Sequence, residues 1–140
     1  MLGGLLATHQ LALPGHPTHP GFALDWYDSE LLQLATDLAD RLLPAFRTPT
    51  GIPLARVNLR HGVAKGETAE TCAAGAGSLL LEWIVLSRLT GVSQYEDVAT
   101  KAFYAVWGRR SERSLIGNAL NAFNGVRSCY SPLSSTRLPS

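Results

Sequence analysis

The chain has 140 residues, of which 46% are hydrophobic and 16% charged, a balance typical of a globular domain and unlike a disordered chain. Its net charge of +1 at pH 7 argues against the broad positive surface that binding to nucleic acid or to an anionic membrane requires. Two cysteines, Cys72 and Cys129, are too few for a disulfide scaffold and lack the paired spacing of a structural zinc site.

The first thirteen residues are apolar and predict a buried helix that begins at residue 1. Gly3 and Gly4 would let a neighbouring element pack closely against it. A secretory signal is the alternative, but the segment lacks a basic start, and His9 and Gln10 interrupt the apolar run. We therefore expect no signal peptide in this chain, and no stretch approaches the length of a membrane span.

Prolines and glycines between residues 13 and 21 predict a turn. His16 and His19 lie in this segment, and together with His9 they could bind a metal, since imidazole is a common metal ligand. Their spacing follows no metal motif, and prolines stand next to both loop histidines. An irregular solvated loop is therefore favoured over a metal site.

The most regular pattern lies at residues 28–46, where leucines and alanines recur at helical spacing and charged residues occupy the opposite face. Asp28 is the expected N-cap. Pro44 should end or kink the helix one turn before Phe46. The following residues, 47–71, contain two prolines and Gly51 and allow only a short extended segment near Val57. So long a connection is a candidate rim of a binding site.

A third helix is predicted from residues 70–73 to Thr90, with Gly91 as a left-handed cap. It is apolar on almost every side, which predicts burial on all faces by more protein than this chain supplies. Glu82 is the ionisable group in the middle of this run. A buried carboxylate must be paired, hydrogen-bonded or functional, so Glu82 is either a structural partner or a site residue.

Ser93 and Glu96 form a capping-box pattern that opens a fourth helix, through about residue 109. From Asn124 onward the chain is rich in serine and lacks apolar periodicity, which predicts an unstructured tail and a foldable part that ends near residue 123. The four helices should pack as antiparallel hairpins. A helical bundle, a solenoid and an α/α barrel all fit this pattern.

Several motifs occur in the order found in one enzyme family. The strings LGGLLATH (residues 2–9), RLLPAFRTPTGIP (41–53) and VNLRHGV (57–63) resemble glycoside hydrolase family 47, the class I α-1,2-mannosidases. The strings GETAETCAAGAGS (66–78), LEW (81–83), LSRLTG (86–91) and YEDVA (95–99) are most similar to its ER degradation-enhancing α-mannosidase-like branch. The resemblance covers about residues 1–118.

The resemblance implies an all-α fold, a partial (α/α)7 barrel over residues 1–118, followed by a divergent and disordered tail at residues 119–140. It implies a calcium ion, hydrolysis of terminal α-1,2-linked mannose with inversion, and a place in the endoplasmic reticulum lumen. Its implied partners are high-mannose N-glycans and misfolded glycoproteins, with no nucleic acid. Calcium suits sugar hydroxyls because it is a hard ion that takes oxygen ligands.

Family site residues carry over poorly to this chain. The Phe-Glu motif of the catalytic acid would precede Leu2, and the remaining catalytic carboxylates and the calcium-binding threonine would follow Asn118, so we expect neither catalytic residues nor metal ligands here. Gly75 stands where one branch of the family has a mannose-contacting glutamate. Glu82, in the family's Leu-Glu-aromatic position, is the one candidate substrate-binding residue.

These departures predict an inactive fragment, because acid–base catalysis needs both the acid and the base. The abrupt change of sequence after Asn118 is typical of a truncated gene model, a retained intron or a frameshift. The alternative is a non-catalytic helical module that binds glycan or protein through the apolar surface of residues 79–89.

Overall fold

A computed structural model describes residues 1–14 and 20–128 of the chain. Within these residues the α-helices are α1 (Leu2–Ala12), α2 (Glu30–Leu42), α3 (Ala73–Gly77), α4 (Leu80–Thr90) and α5 (Ser93–Trp107). Short 3-10 helices occupy Pro20–Phe22 and Leu43–Phe46. The strands are β1 (Glu70–Cys72), β2 (Ala119–Asn121) and β3 (Arg127–Ser128). None of the helices in this part of the chain has the length and hydropathy of a membrane span.

Helices α1 and α2 pack against each other, as the predicted hairpin requires. Pro44 lies where the α-helix gives way to a 3-10 turn, which confirms the predicted break. The predicted cap is wrong: Ser29, and not Asp28, occupies the N-cap position, in a left-handed conformation with φ 61° and without a side-chain cap hydrogen bond. His16 and His19, the candidate metal ligands, lie outside the described residues.

The predicted third helix is divided into α3 and α4. Gly75 and Gly77 weaken the first part, because glycine is a poor helix former. Gly91 ends α4 with φ 74°, which confirms the left-handed cap. Burial on all faces is not observed: Trp83 and Leu86 are fully buried, whereas the Leu81 side chain is 71% exposed. One face of α4 is therefore open in the described part of the chain.

Helix α5 turns back along α4 immediately after Gly91 and Val92, so the two helices are antiparallel. The predicted capping box is wrong. Val92 holds the N-cap position and Ser93 is already helical. The Glu96 carboxylate instead lies 3.3 Å from Nε of Arg88 on α4, an exposed pair that adds little stability.

The three strands form an antiparallel sheet in the order β1-β2-β3. The sheet packs against α3 and α5 through Leu120. Leu120 pairs with Thr71 and, like Ala122, is fully buried. The structure thus differs from the expected tail over residues 119–128, because backbone pairing with β1 and burial of Leu120 order a stretch that has no helical periodicity. Residues 129–140 lie outside the described part.

Two buried clusters stabilise this arrangement. In the larger one, the Phe46, Trp83 and Tyr95 rings meet edge to face, with centroids 4.8 Å and 5.8 Å apart, the geometry that aromatic pairs prefer. Small residues allow the helices to approach closely around these rings: Ala35, Ala39, Ala99 and Ala102 are buried. The smaller cluster joins α3 and α5 to the sheet and the long connection; it contains Ile52, Ala73, Ala76, Val106, Leu120 and Ala122.

Candidate functional site

Glu82 lies in the first turn of α4, against the first turn of α1. A Cβ atom on Gly3 would stand 3.1 Å from Cγ and 3.4 Å from Oε1 of Glu82. Because residue 3 has no side chain, the Glu82 side chain lies close to the α1 backbone, as the pair of glycines predicts. Gly4 has no neighbour within 4 Å of its Cβ position, so the close packing is confined to Gly3.

The Glu82 carboxylate is incompletely satisfied. Its Oε2 atom is buried and has no hydrogen-bond partner among the described residues. An unpaired buried acceptor costs about 1–3 kcal/mol. The first turns of α1 and α4 supply partial positive charge near the carboxylate, but neither donates a hydrogen bond to it. Oε2 is therefore poised to accept a hydrogen bond from a group outside the described residues.

Two clefts adjoin Glu82. The first has a volume of about 320 Å³ and separates Gly3, Leu6, Ala7 and Gln10 on α1 from Leu81 and Val85 on α4. The second, of about 480 Å³, extends from Glu82 past Trp83 and Leu38 to Val57 and Leu59 of the long connection. Both volumes lie in the range of small-molecule sites. Val57 and Leu59 of the long connection thus line the same cleft as Glu82.

Two further clefts lie beside α3. One, of about 280 Å³, is lined by Gly75, Thr71 and Trp83; the other, of about 530 Å³, is lined by Phe103, Trp107 and Asn118. Cys72 borders both, and its thiol is exposed and unpaired. Across these four clefts Glu82 is the one carboxylate that lines a wall. An inverting hydrolase needs two carboxyl groups about 6.5–9.5 Å apart, and no such pair lines these clefts.

The side chains next to Glu82 in the core are held by aromatic contacts and a hydrogen bond. Trp83, the next residue, is held between Phe46 and Tyr95. The Tyr95 hydroxyl donates a 2.6 Å hydrogen bond to Oδ1 of Asp40 on α2. Burial, and then this contact with Asp40, raises the pKa of Tyr95 to about 12, so the phenol stays protonated at neutral pH. These contacts fix Trp83, and through the chain they would position the backbone of Glu82.

The sequence singled out Glu82 but missed the contacts that define its surroundings. Gly3 and Leu59 are distant from it in the chain, and no local pattern reveals that they share its clefts. The sequence reasoning also missed the contact of His9 with Tyr27. A histidine within an apolar helix needs a polar partner, and this signal could have pointed to such a contact. In the described residues no group of three or more His, Cys, Asp and Glu side chains could hold a metal ion.

The family model for Glycosyl hydrolase family 47 matches residues 1–131. The chain is 51% identical over 125 residues to "ER degradation-enhancing alpha-mannosidase-like protein 1" of Schizosaccharomyces pombe, covering 89% of this chain and 16% of that protein. It is 42% identical over 131 residues to "ER degradation-enhancing alpha-mannosidase-like protein 3" of Homo sapiens, covering 89% and 14%. The chain thus spans less than a fifth of the length of either relative.

Among solved structures, the α-1,2-mannosidase from Trichoderma reesei superposes with a TM-score of 0.78 at 32% sequence identity. The match covers 91% of this chain and 27% of that enzyme. The helical hairpins α1–α2 and α4–α5 therefore form part of an (α/α)7 barrel, which decides among the bundle, solenoid and barrel that the sequence left open.

Proposed function

The chain belongs to glycosyl hydrolase family 47, and we propose that it forms one sector of the barrel of an α-mannosidase that trims terminal α-1,2-linked mannose from N-glycans. The observation that carries this proposal is the match of nearly the whole described chain to a barrel segment of a solved α-1,2-mannosidase. The relatives with an ER degradation-enhancing name support a role in the degradation of misfolded glycoproteins in the endoplasmic reticulum, and we place that role in the lumen.

In this proposal Glu82 contacts substrate. A sugar hydroxyl entering either adjoining cleft would donate a hydrogen bond to Oε2, which relieves the cost of the unpaired buried acceptor. The hard, polar acceptor selects a hydroxyl-bearing ligand, and the apolar walls formed by Leu81, Val85 and Trp83 suit the C–H faces of a pyranose ring. Glu82 thereby orients the sugar, and the acid and base of catalysis belong to parts of the barrel that these residues do not form.

Calcium does not enter the steps assigned to this chain. The family is generally calcium-dependent, and calcium takes six to eight oxygen ligands. The described residues offer no cluster of acidic or histidine side chains that fits such an ion. By the family resemblance the ligand threonine lies downstream of the Asn118 match, so we assign no residue here to calcium.

A replacement experiment tests the proposal. Residues 1–128 would replace the matching segment of the Trichoderma reesei enzyme, and release of mannose from an α-1,2-linked mannobiose and from a high-mannose N-glycan would be measured. We expect the chimera to hydrolyse both, whereas the 140-residue chain alone releases no more mannose than a boiled sample. A folded chimera without activity, or turnover by the chain alone, would contradict the proposal.

The role of Glu82 is tested in the same chimera. Glu82→Gln keeps the shape but weakens the acceptor, and loss of a hydrogen bond to a charged group corresponds to about 1.5–3 kcal/mol, or roughly a 10- to 150-fold lower kcat/KM. Glu112→Gln removes the same charge from an exposed residue and should leave kcat/KM unchanged. Equal effects of the two substitutions on kcat/KM would show that Glu82 does not contact substrate.

A non-catalytic module that binds glycan or protein is the second candidate. It is favoured by the exposed aromatic surface of α5, where Tyr104 is 65% and Trp107 45% exposed. Such a module should unfold cooperatively as a monomer and bind a high-mannose glycan, or a partner protein, without turnover. Aggregation of the purified chain would instead indicate that the remainder of a barrel covers this surface.

A further inference from the structure

The long connection contains a compact hairpin turn at residues 58–62. Asn58 and Gly62 exchange backbone hydrogen bonds of 2.9 Å and 2.7 Å. Oδ1 of Asn58 accepts hydrogen bonds from the N–H groups of Arg60 and His61. Gly62 has φ +77°, a conformation that favours glycine. The turn therefore has a defined backbone although it is exposed.

The turn is fastened to the helical body. Nη1 of Arg41 on α2 donates a 3.1 Å hydrogen bond to the Leu59 carbonyl. The same guanidinium contacts both carboxylate oxygens of Asp37 through Nε and Nη2, at 2.8 Å and 3.0 Å. Asp37 thus neutralises Arg41. The Asp37 carboxylate is therefore not available to pair with the cations of the turn.

The hairpin concentrates positive charge. Arg56 and Lys65 flank its base, and Arg60 and His61 stand at its tip; all four side chains are exposed. The cations Arg56, Arg60 and Lys65 follow one another at intervals of four and five residues, so the Cα atoms of successive cations lie within about 18 Å. None of them is in an ion pair within the described residues, where the pairs are Arg41–Asp37 and Arg88–Glu96. We call residues 56–65 the basic hairpin.

The basic hairpin itself contains no acidic residue. No Asp or Glu occurs between Asp40 and Glu67 in the sequence. Glu67, two residues after Lys65, keeps its negative charge although its Oε1 accepts a hydrogen bond from the Thr68 N–H, and Asp40 accepts a hydrogen bond from the Tyr95 hydroxyl. Glu82 lies inside the cleft whose rim includes Leu59, with one oxygen buried. Residues 56–65 therefore carry three exposed cations, Arg56, Arg60 and Lys65, and no carboxylate, although the chain as a whole is nearly neutral.

We propose that the basic hairpin is a docking surface for an acidic segment of another polypeptide. Charge complementarity selects an anionic partner, and Arg60 and Arg56 present planar donors that fit carboxylates. The exposed Leu59 side chain, 46% accessible and next to Arg60 in the turn, adds an apolar contact that a polypeptide can match and a free phosphate cannot. A fixed backbone lowers the entropic cost of binding.

Binding of a fluorescein-labelled peptide of alternating Glu and Leu to the 140-residue chain tests the proposal by fluorescence anisotropy. A peptide with Gln in place of Glu is the uncharged control. We expect the acidic peptide to bind at least tenfold more tightly than the control, with an affinity that falls between 50 and 300 mM NaCl, because exposed charges are screened within about 10 Å at 0.1 M salt. The peptides carry no sugar, so the result is independent of mannosidase activity.

Matched charge variants locate the surface. The double variant Arg56→Gln with Arg60→Gln should weaken binding of the acidic peptide at least tenfold, whereas Arg110→Gln with Arg113→Gln, which changes the charge equally at two exposed residues after α5, should change it less than twofold. Circular dichroism would confirm that each variant is folded. Asn58→Ala keeps every charge but removes the two side-chain hydrogen bonds of the turn, and a fall in affinity is expected.

Three outcomes would overturn the proposal. Equal loss in the two double variants would show that net charge alone drives binding. Equal affinity for the acidic and uncharged peptides would exclude charge recognition. Competition by inorganic phosphate at lower concentration than the acidic peptide would show a phosphate site.

Discussion

The Tyr27 hydroxyl oxygen lies 2.7 Å from Nδ1 of the buried His9 and also accepts a 3.2 Å hydrogen bond from the Leu31 N–H at the start of α2. A neutral imidazole can either accept the phenol proton at Nδ1 or donate its own proton to the phenol oxygen, whereas a protonated imidazole can only donate. His9 is 2% exposed. The pair therefore joins α1 to α2 in a way that depends on the protonation of His9.

Folding stability should fall as the pH is lowered through the ordinary range of histidine. Burial lowers the pKa of His9 below its usual 6.5, so the unfolded chain takes up a proton at a higher pH than the folded chain. The free energy of unfolding then keeps the His9 contribution above about pH 6.5 and loses it below, with a slope of at most about 1.4 kcal/mol per pH unit. Urea denaturation at pH 7.5, 6.5 and 5.5 measures this slope.

Two histidine variants show whether the slope belongs to His9. His9→Gln should flatten the pH dependence between 7.5 and 5.5. His61→Gln, in the exposed hairpin, removes an imidazole that is not buried and is the matched control. A slope that survives His9→Gln would assign the effect to other groups.

Substitutions of the two adjacent glycines of α1 should have different effects. Alanine is favoured over glycine in a helix interior by about 0.5–1 kcal/mol, and Gly4→Ala, in the first turn of α1, should show part of this gain because nothing lies within 4 Å of the new methyl. Gly3→Ala places its methyl 3.1 Å from Cγ of Glu82 and should lose the gain. Thermal or urea denaturation of both variants checks this.

A double-mutant cycle tests the cause. Combining Gly3→Ala with Glu82→Ala should restore the helix-propensity gain, because the atoms that meet the methyl are gone. If Gly3→Ala is as stabilising as Gly4→Ala in the unmodified chain, the close contact between α1 and α4 does not exist.

Removal of the Tyr95 hydroxyl should destabilise the chain. Tyr95→Phe leaves Asp40 without its donor and should cost about 1–2 kcal/mol; Tyr104→Phe, at an exposed position, should cost nothing measurable. Because burial raises the pKa of Tyr95 to about 12, this phenol ionises in the folded chain at a higher pH than ordinary tyrosines, whose pKa is about 10.

The free energy of unfolding should therefore decline above pH 10, where the unfolded chain releases this proton but the folded chain keeps it. Ultraviolet titration of the folded chain should show a tyrosine that ionises near pH 12, and this step should be absent in Tyr95→Phe.

Residues 119–128 should contribute to stability as part of the fold. Leu120 is fully buried beneath the sheet, and Leu120→Ala should lower the free energy of unfolding by about 2–5 kcal/mol. Val126→Ala, at a position 62% exposed, is the control and should change it by less than about 0.5 kcal/mol. Neutral effects of both would restore the interpretation of this segment as a tail.

Local sequence determined several features because their causes are local. The apolar periodicity of residues 31–42 specifies α2, Pro44 ends it, and Gly91 supplies the left-handed cap of α4. The order of the family motifs predicted the family, which the comparisons confirm. Glu82 was recognisable as a candidate because an ionisable group within an apolar run requires an explanation.

Tertiary structure decided the rest, because contacts between distant residues outweigh local preference. Ser93 and Glu96 match a capping box, yet Glu96 faces Arg88 of the preceding helix. Leu120 lacks a helical pattern and is ordered by pairing with β1. Only the packing of α1 on α4 brings Gly3 to Glu82 and leaves Oε2 buried without a partner. A local pattern specifies helices and their ends, whereas the contacts of each exposed or buried side chain depend on which elements the fold places beside it.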